Sequence, residues 1–241
     1  MRPVIAVLFD AGNTLMHLDY EFIAEVLRRH GYPTTPLAIR IAEYSAKAAI
    51  DCELAPEMAT PDSVEGLLWP DEAGPRPSYF AVALRQLGVP SSSMRPLLDA
   101  LQAHNQESCL WRVVEPQTPE VLGELRERGF TLAVISNADG RVEDDLGRYG
   151  LRSHFATVVD SHVVGVEKPN PEIFRLTLDR LEVGAEQAVY VGDVFGIDVM
   201  GARRAGLQAV LIDTLDRYPG KVDCPRIRRL ADLLELLVRE E

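Results

Sequence analysis

From residue 119 onward, apolar β-rich runs alternate with helical patterns, and this rhythm restricts the fold more than any other feature. The runs lie at 131–136, 155–160, 188–192 and 208–212, and helical spacing fills about 119–128, 140–148, 172–182 and 197–205. Continuous hydrophobicity marks strands buried on both faces. Strands joined through helices run parallel. Thr118-Pro119-Glu120 and Asn170-Pro171-Glu172 each offer an N-cap, a proline at the first helical position and an early acid. Gly129, Gly150 and Gly206 stand where helices should stop. The expected fold is α/β, a doubly wound parallel sheet.

The first apolar run, at 3–9, is set apart from the others by everything between residues 10 and 130. Much of that interval has helical apolar spacing, at 21–30, 37–52, 78–88 and 92–107. Pro56, Pro61, Pro70, Pro75 and Pro77 mark an irregular crossing between its halves. The simplest reading is an inserted all-α helical domain over the C-terminal edge of the sheet. The expected division is a core of 1–15 and 112–241 and an insertion of 16–111.

The chain has 241 residues, 46% of them hydrophobic, which is ample for a real core. Its formal net charge of −12 argues against nucleic acid or an anionic membrane as partner. It lacks a run of eighteen apolar residues, so no transmembrane helix is expected. Met1-Arg2-Pro3 leads straight into a strand-like run, unlike a signal peptide. Cys52, Cys109 and Cys224 are odd in number, far apart and outside any metal-ligand spacing. They read as reduced thiols of a cytoplasmic protein.

Asp10 ends the run Val4-Ile5-Ala6-Val7-Leu8-Phe9 and opens the loop Ala11-Gly12-Asn13-Thr14. Open α/β sheets place their active sites at the carboxyl ends of strands. Alone, Asp10 could be a helix cap. Three later segments add to it: Ile135-Ser136-Asn137, Glu167-Lys168-Pro169, and Gly192-Asp193 followed by Asp198. Carboxylates at the ends of neighbouring strands repel unless a cation compensates them. Such hard oxygen ligands suit Mg²⁺. Ser136 ends a strand just before a predicted helix, where its hydroxyl and the amides of Asn137 and Ala138 can meet phosphate oxygens. The chain's lysines are Lys47, Lys168 and Lys221, against many arginines. A lysine retained at 168 suggests a point charge for phosphate and for Asp10.

In this order, these motifs resemble the haloacid dehalogenase superfamily, whose members are mostly Mg²⁺-dependent phosphohydrolases. The resemblance covers the core motifs, and the insertion only by position and helical character. It implies that Asp10 is the nucleophile and forms an aspartyl-phosphate. It implies metal ligands in Asp10, Asp193 and the Gly12 carbonyl, with Asp198 supporting the metal's water shell. Ser136, Asn137 and Lys168 would hold phosphate, and Thr14 would orient the loop or donate to phosphate. A helical cap of this kind sets substrate choice, here expected to be a small phosphorylated metabolite.

The sequence departs from that pattern at Gly12, where phosphatases of the superfamily carry a second aspartate as general acid/base. Such a group is typically worth ~10²–10⁴-fold. His17, Asp19 and Tyr20 lie just beyond the motif as surrogates, though hinge or cap roles suit them too. Three readings follow. The first is a phosphatase acting through Asp10. The second is a phosphonoacetaldehyde-hydrolase-like enzyme cleaving a C–P bond, with Lys47 as its Schiff base. The third is a non-catalytic binding protein that kept the fold. Asp193 and Asp198 argue against a metal-free dehalogenase. Oligomeric state, a homodimer included, is open.

Overall fold

The computed structural model describes residues 3–54, 79–218 and 222–237. Pro56, Pro61, Pro70, Pro75 and Pro77 all lie outside these residues. The chain divides into two compact units, the first built from Met1–His17, Trp111–Asp216 and Asp223–Glu241.

The first unit is a parallel sheet. Its strands are β1 (Ala6–Phe9), β4 (Thr131–Ser136), β5 (Thr157–Asp160), β6 (Ala188–Gly192), β7 (Gln208–Ile212) and β8 (Arg226–Ile227), in the order β5-β4-β1-β6-β7-β8. All pairings are parallel, with Phe9 level with both Val134 and Val191. β1 is central and its four side chains are fully buried, as its unbroken apolar run requires. The short β8 has no counterpart among the expected strands, because two residues carry no periodicity. Two further short strands, β2 (His17–Leu18) and β3 (Trp111–Val113), pair with each other.

Helices α5 (Thr118–Glu127), α6 (Val142–Arg148), α7 (Ser161–Val164), α8 (Pro171–Leu181), α9 (Met200–Arg204) and α10 (Leu233–Leu236) belong to this unit. Asn170 caps α8 by accepting from the Glu172 amide at 3.0 Å, with Pro171 opening the helix. Thr118 is not a cap. It is the first residue of α5, and Gln117 precedes it without a side-chain bond. α6 starts at Val142 rather than 140, because the Asp160 carboxylate takes the Gly140 amide at 2.9 Å and holds that stretch outside the helix. The predicted 197–205 helix splits into a π-helical turn, Phe195–Val199, and α9.

The second unit comprises Leu18–Leu110 and Arg217–Val222. Its described elements are helices: α1 (Tyr20–Arg29), α2 (Pro36–Leu54), α3 (Tyr79–Gln86) and α4 (Ser91–Glu107). Asp19 is the N-cap of α1, accepting from the Phe22 amide at 2.8 Å. The unit borders fall at 17/18 and 110/111 and so extend the core slightly beyond the expected 1–15 and 112–241. Tyr218 departs from that expectation, grouping with the helical unit. Its hydroxyl donates to Asp51 of α2 at 2.6 Å and its ring meets Tyr44 edge-on.

No helix among the described residues is long and apolar enough to cross a membrane.

Candidate active site

Asp10, Ser136 and Asp193 follow or end β1, β4 and β6, three neighbouring parallel strands, and so share one edge of the sheet. All three are buried. The Asp10 amide continues the ladder by donating to the Val191 carbonyl at 2.8 Å. The loop beyond it is tightly closed. Leu15 and Met16 amides both donate to the Ala11 carbonyl at 3.0 and 2.9 Å, and the Asn13 amide donates to Met16 at 2.7 Å. Asn13 adopts the left-handed conformation, φ 53°, which asparagine tolerates better than most residues. Thr14 Oγ1 is buried and has no hydrogen-bond partner among the described residues.

Lys168 reaches this edge from the loop between α7 and α8, 158 positions from Asp10 in sequence. Its ammonium donates to Asp10 Oδ1 at 2.6 Å, to Asp198 Oδ1 at 2.8 Å and to the Tyr190 hydroxyl at 2.8 Å. Three acceptors satisfy its three donors. Asn137 fixes the Lys168 backbone from both sides: its Nδ2 donates to the Lys168 carbonyl at 2.9 Å, and its Oδ1 accepts from the Lys168 amide at 2.8 Å. The Lys168–Pro169 peptide is cis.

Asp198 projects from the π-helical turn back toward β6. Its Oδ2 accepts from the amides of Asp193 and Val194 at 3.0 and 2.9 Å. Gly192 makes this possible. A Cβ there would overlap the Asp198 carboxylate. π-helical turns inside helices are frequent at functional sites, where they redirect a side chain.

The carboxylate oxygens of Asp10, Asp193 and Asp198 lie within 4.8 Å of one another, all buried. Three carboxylates around one ammonium leave an excess of negative charge. Burial pushes the Asp10 carboxyl up to about 7. Lys168 opposes the rise, and Asp198 and Asp193 add to it. Burial works against the Lys168 ammonium, but Asp10, Asp198 and Tyr190 outweigh it and hold the group well above its usual value. Burial also raises the Tyr190 phenol, so it is neutral. A divalent cation fits this donor set in charge and in ligand type.

The helix N-terminus expected at Ser136 and Asn137 is not there, since α6 begins at Val142. The Ala138 amide donates to Ser161 Oγ at 3.2 Å instead. The surrogate acids are otherwise engaged. Asp19 caps α1, Tyr20 donates to Glu43 at 2.5 Å, and the His17 ring faces Glu115 at 3.8 Å. Lys47 is buried on α2 and not on a solvated face. It lies between buried Glu43 and Asp51, one turn away on either side, with its ammonium 4.8 Å from the Tyr44 ring centre.

Sequence reasoning missed Tyr190 and Trp111. Tyr190 carried a signal: a phenol inside the apolar run Ala188–Gly192 needs a partner for its hydroxyl. Trp111 carried none, because its relation to Gly12 is made only in three dimensions.

Comparison with known proteins places the chain among its relatives. The chain is 32% identical over 210 residues to glyceraldehyde 3-phosphate phosphatase of Methanopyrus kandleri, covering 86% of this chain and 83% of that protein. It is 35% identical over 170 residues to phosphoserine phosphatase of Thermus thermophilus, covering 70% and 66%. The match to mouse haloacid dehalogenase-like hydrolase domain-containing protein 3 is 36% identical but spans only 64% of that protein. A HAD phosphatase from Thermococcus onnurineus superposes with a TM-score of 0.56 at 25% identity, over 96% of this chain and 97% of that one. The L-2-haloacid dehalogenase of Xanthobacter autotrophicus shares the fold with a TM-score of 0.59 at 22% identity, over 97% and 98%. The profile of the haloacid dehalogenase-like hydrolases matches residues 5–206, nearly the whole path from β1 through α9, and the chain belongs to that family.

Proposed function

We propose that this hydrolase is a Mg²⁺-dependent phosphatase that acts on a small phosphorylated metabolite through an aspartyl-phosphate on Asp10. The observation that carries the reading is the buried cluster of Asp10, Asp193 and Asp198, with the Lys168 ammonium bonded to Asp10 and Asp198. Asp193 and Asp198 separate it from a metal-free dehalogenase site. The names of the Methanopyrus and Thermus relatives point the same way.

Asp10, Asp193 and the Gly12 carbonyl would hold the cation. Both oxygens of Asp198 already bind Lys168 and the 193–194 backbone, so its part is to keep these groups in place. When bound, the ion supplies positive charge to the phosphoryl oxygens and offsets the clustered carboxylates. Lys168 fixes one oxygen of Asp10 and adds a second positive charge. An Asp10 oxygen bonds to phosphorus as the ester P–O bond breaks, and water later hydrolyses the aspartyl-phosphate. Ser136, Asn137 and Thr14 are the proposed contacts to phosphate, and the buried, unbonded Thr14 hydroxyl supports that role. In this reading the helical unit is the cap that selects substrate.

The test is phosphate release from a panel of phosphorylated metabolites with Mg²⁺ or EDTA, for wild type and Asp10→Asn. Metal-dependent release that Asp10→Asn abolishes supports the reading. Release that survives either EDTA or the substitution overturns it, and no turnover of any substrate favours a non-catalytic binding protein.

A further inference from the structure

Gly12 does not owe its identity to the backbone. The left-handed residue of the nucleophile loop is Asn13, and Gly12 is not among the glycines with positive φ. Its neighbour explains it. A Cβ on Gly12 would stand 3.1 Å from Nε1, 3.2 Å from Cδ1 and 3.6 Å from Cε2 of Trp111. The optimum separation of such atoms is about 3.5–4.0 Å, so even a methyl group would press on the indole. Relief would require the indole to give by a few tenths of an ångström, and Trp111 opens β3 and packs, partly buried, against the core cluster that contains Phe9, Ala11 and Leu15. Gly12 and Trp111 both belong to the first unit. The space beside the Asp10 loop is thus filled by an indole reaching in from another strand.

An indole N–H donates a hydrogen bond but is never a proton source in water, and glycine has no side chain to ionise. Wherever the bond from phosphorus to the leaving oxygen breaks, neither residue can protonate that oxygen. We propose that Trp111 is a specificity-determining residue of the Asp10 site: it disfavours a side-chain acid at position 12 and biases turnover toward phosphoryl donors whose leaving group departs unprotonated, the acyl and aryl phosphates, over alkyl phosphates. This proposal rests on the phosphatase reading above. An Asp10 oxygen forms the bond to phosphorus while the P–O bond to the leaving group breaks, and the electron pair stays on the departing carboxylate or phenolate. Water then attacks the phosphorus of the aspartyl-phosphate. That breaks the bond to Asp10, restores its carboxylate and yields inorganic phosphate. The remaining proton goes to solvent or to the released phenolate.

The experiment measures single-turnover rates for acetyl phosphate, a series of aryl phosphates of graded leaving-group acidity, and an alkyl phosphate. It uses wild type, Gly12→Asp, Trp111→Ala, Trp111→Leu and the double variants Gly12→Asp/Trp111→Ala and Gly12→Asp/Trp111→Leu, with Asp10→Asn as control and thermal melts to confirm folding. Wild type should show a steep dependence on leaving-group acidity, with the alkyl ester at least ~10²-fold slower than the best aryl ester, the lower bound for a missing acid. Gly12→Asp alone should gain little on the alkyl ester. A double variant should gain up to ~10²–10⁴-fold over its Trp111 parent and flatten the dependence. If Trp111→Ala fails to fold, the leucine pair carries the comparison, and the wild-type series needs no variant.

A flat wild-type series, or an equal gain from Gly12→Asp with Trp111 intact, overturns the role of Trp111. Either result leaves the phosphatase reading standing as long as turnover depends on Asp10. Turnover that survives Asp10→Asn, or none with any ester, overturns both.

Discussion

The Tyr190 hydroxyl accepts a hydrogen bond from Lys168 Nζ at 2.8 Å and donates its own proton to the Ile135 carbonyl at 3.0 Å. One phenol therefore ties the ammonium to the backbone just before Ser136. The Phe174 ring holds it from the side, edge-on at 5.0 Å between centres. Tyr190→Phe keeps the ring and removes the link. A buried N–H of a charged donor is then left unsatisfied, which costs about 1–3 kcal/mol or more. We expect a lower melting temperature and a drop in kcat larger than any change in KM. Unchanged kcat with a lowered melting temperature would make Tyr190 purely structural.

Asp10→Asn should lower turnover by on the order of 10⁴–10⁶, the range found when a nucleophilic centre is removed elsewhere. The fold should hold or gain, because the substitution removes a carboxylate that burial pushes up to about 7. Thermal melts and phosphate release on the same preparations separate these effects.

Mg²⁺ should raise the melting temperature of wild type, because a cation relieves repulsion among Asp10, Asp193 and Asp198. A hundredfold excess over Kd corresponds to about 2.7 kcal/mol. Asp193→Asn should lose most of that shift. An equal shift in both proteins would remove Asp193 from the metal site.

Lys47→Ala should lower the melting temperature of the helical unit, because it empties a buried position on α2 and removes the ammonium held over the Tyr44 ring. Borohydride should trap no adduct between wild type and an aldehyde substrate. An adduct that forms on wild type and is lost with Lys47→Ala would replace the phosphatase reading with C–P bond hydrolysis.

Gly192→Ala should be disruptive although it adds one methyl group. The new Cβ collides with the Asp198 carboxylate, and overpacking of this kind costs typically about 1–3 kcal/mol. Displacing Asp198 also frees the amides of Asp193 and Val194. The expected outcome is a lower melting temperature together with weaker Mg²⁺ stabilisation. A melting temperature and metal response equal to wild type would show that Asp198 moves aside without cost.

The sequence alone determined the parallel core and which carboxylates stand at its edge. An unbroken apolar run such as Val4–Phe9 has to become a strand buried on both faces, and Asp10 is the first residue that the buried layer cannot take. The same local logic puts Ser136 at the end of β4 and Asp193 beyond β6. Asn170 and Pro171 start α8 by rules that act within a few residues. Short pieces such as β8 and the π-helical turn escaped, because they depend on neighbouring strands and not on periodicity. The tertiary structure alone decided what each chemical group faces. Lys168 meets Asp10 across 158 positions, Tyr218 joins Asp51 across 167, and Trp111 lies against Gly12 from the far side of the helical insertion. Such contacts arise when the sheet and its loops are packed together, and no periodicity or local propensity records them. A glycine in a loop reads as a turn residue from sequence, and only packing showed that at position 12 it makes room for an indole.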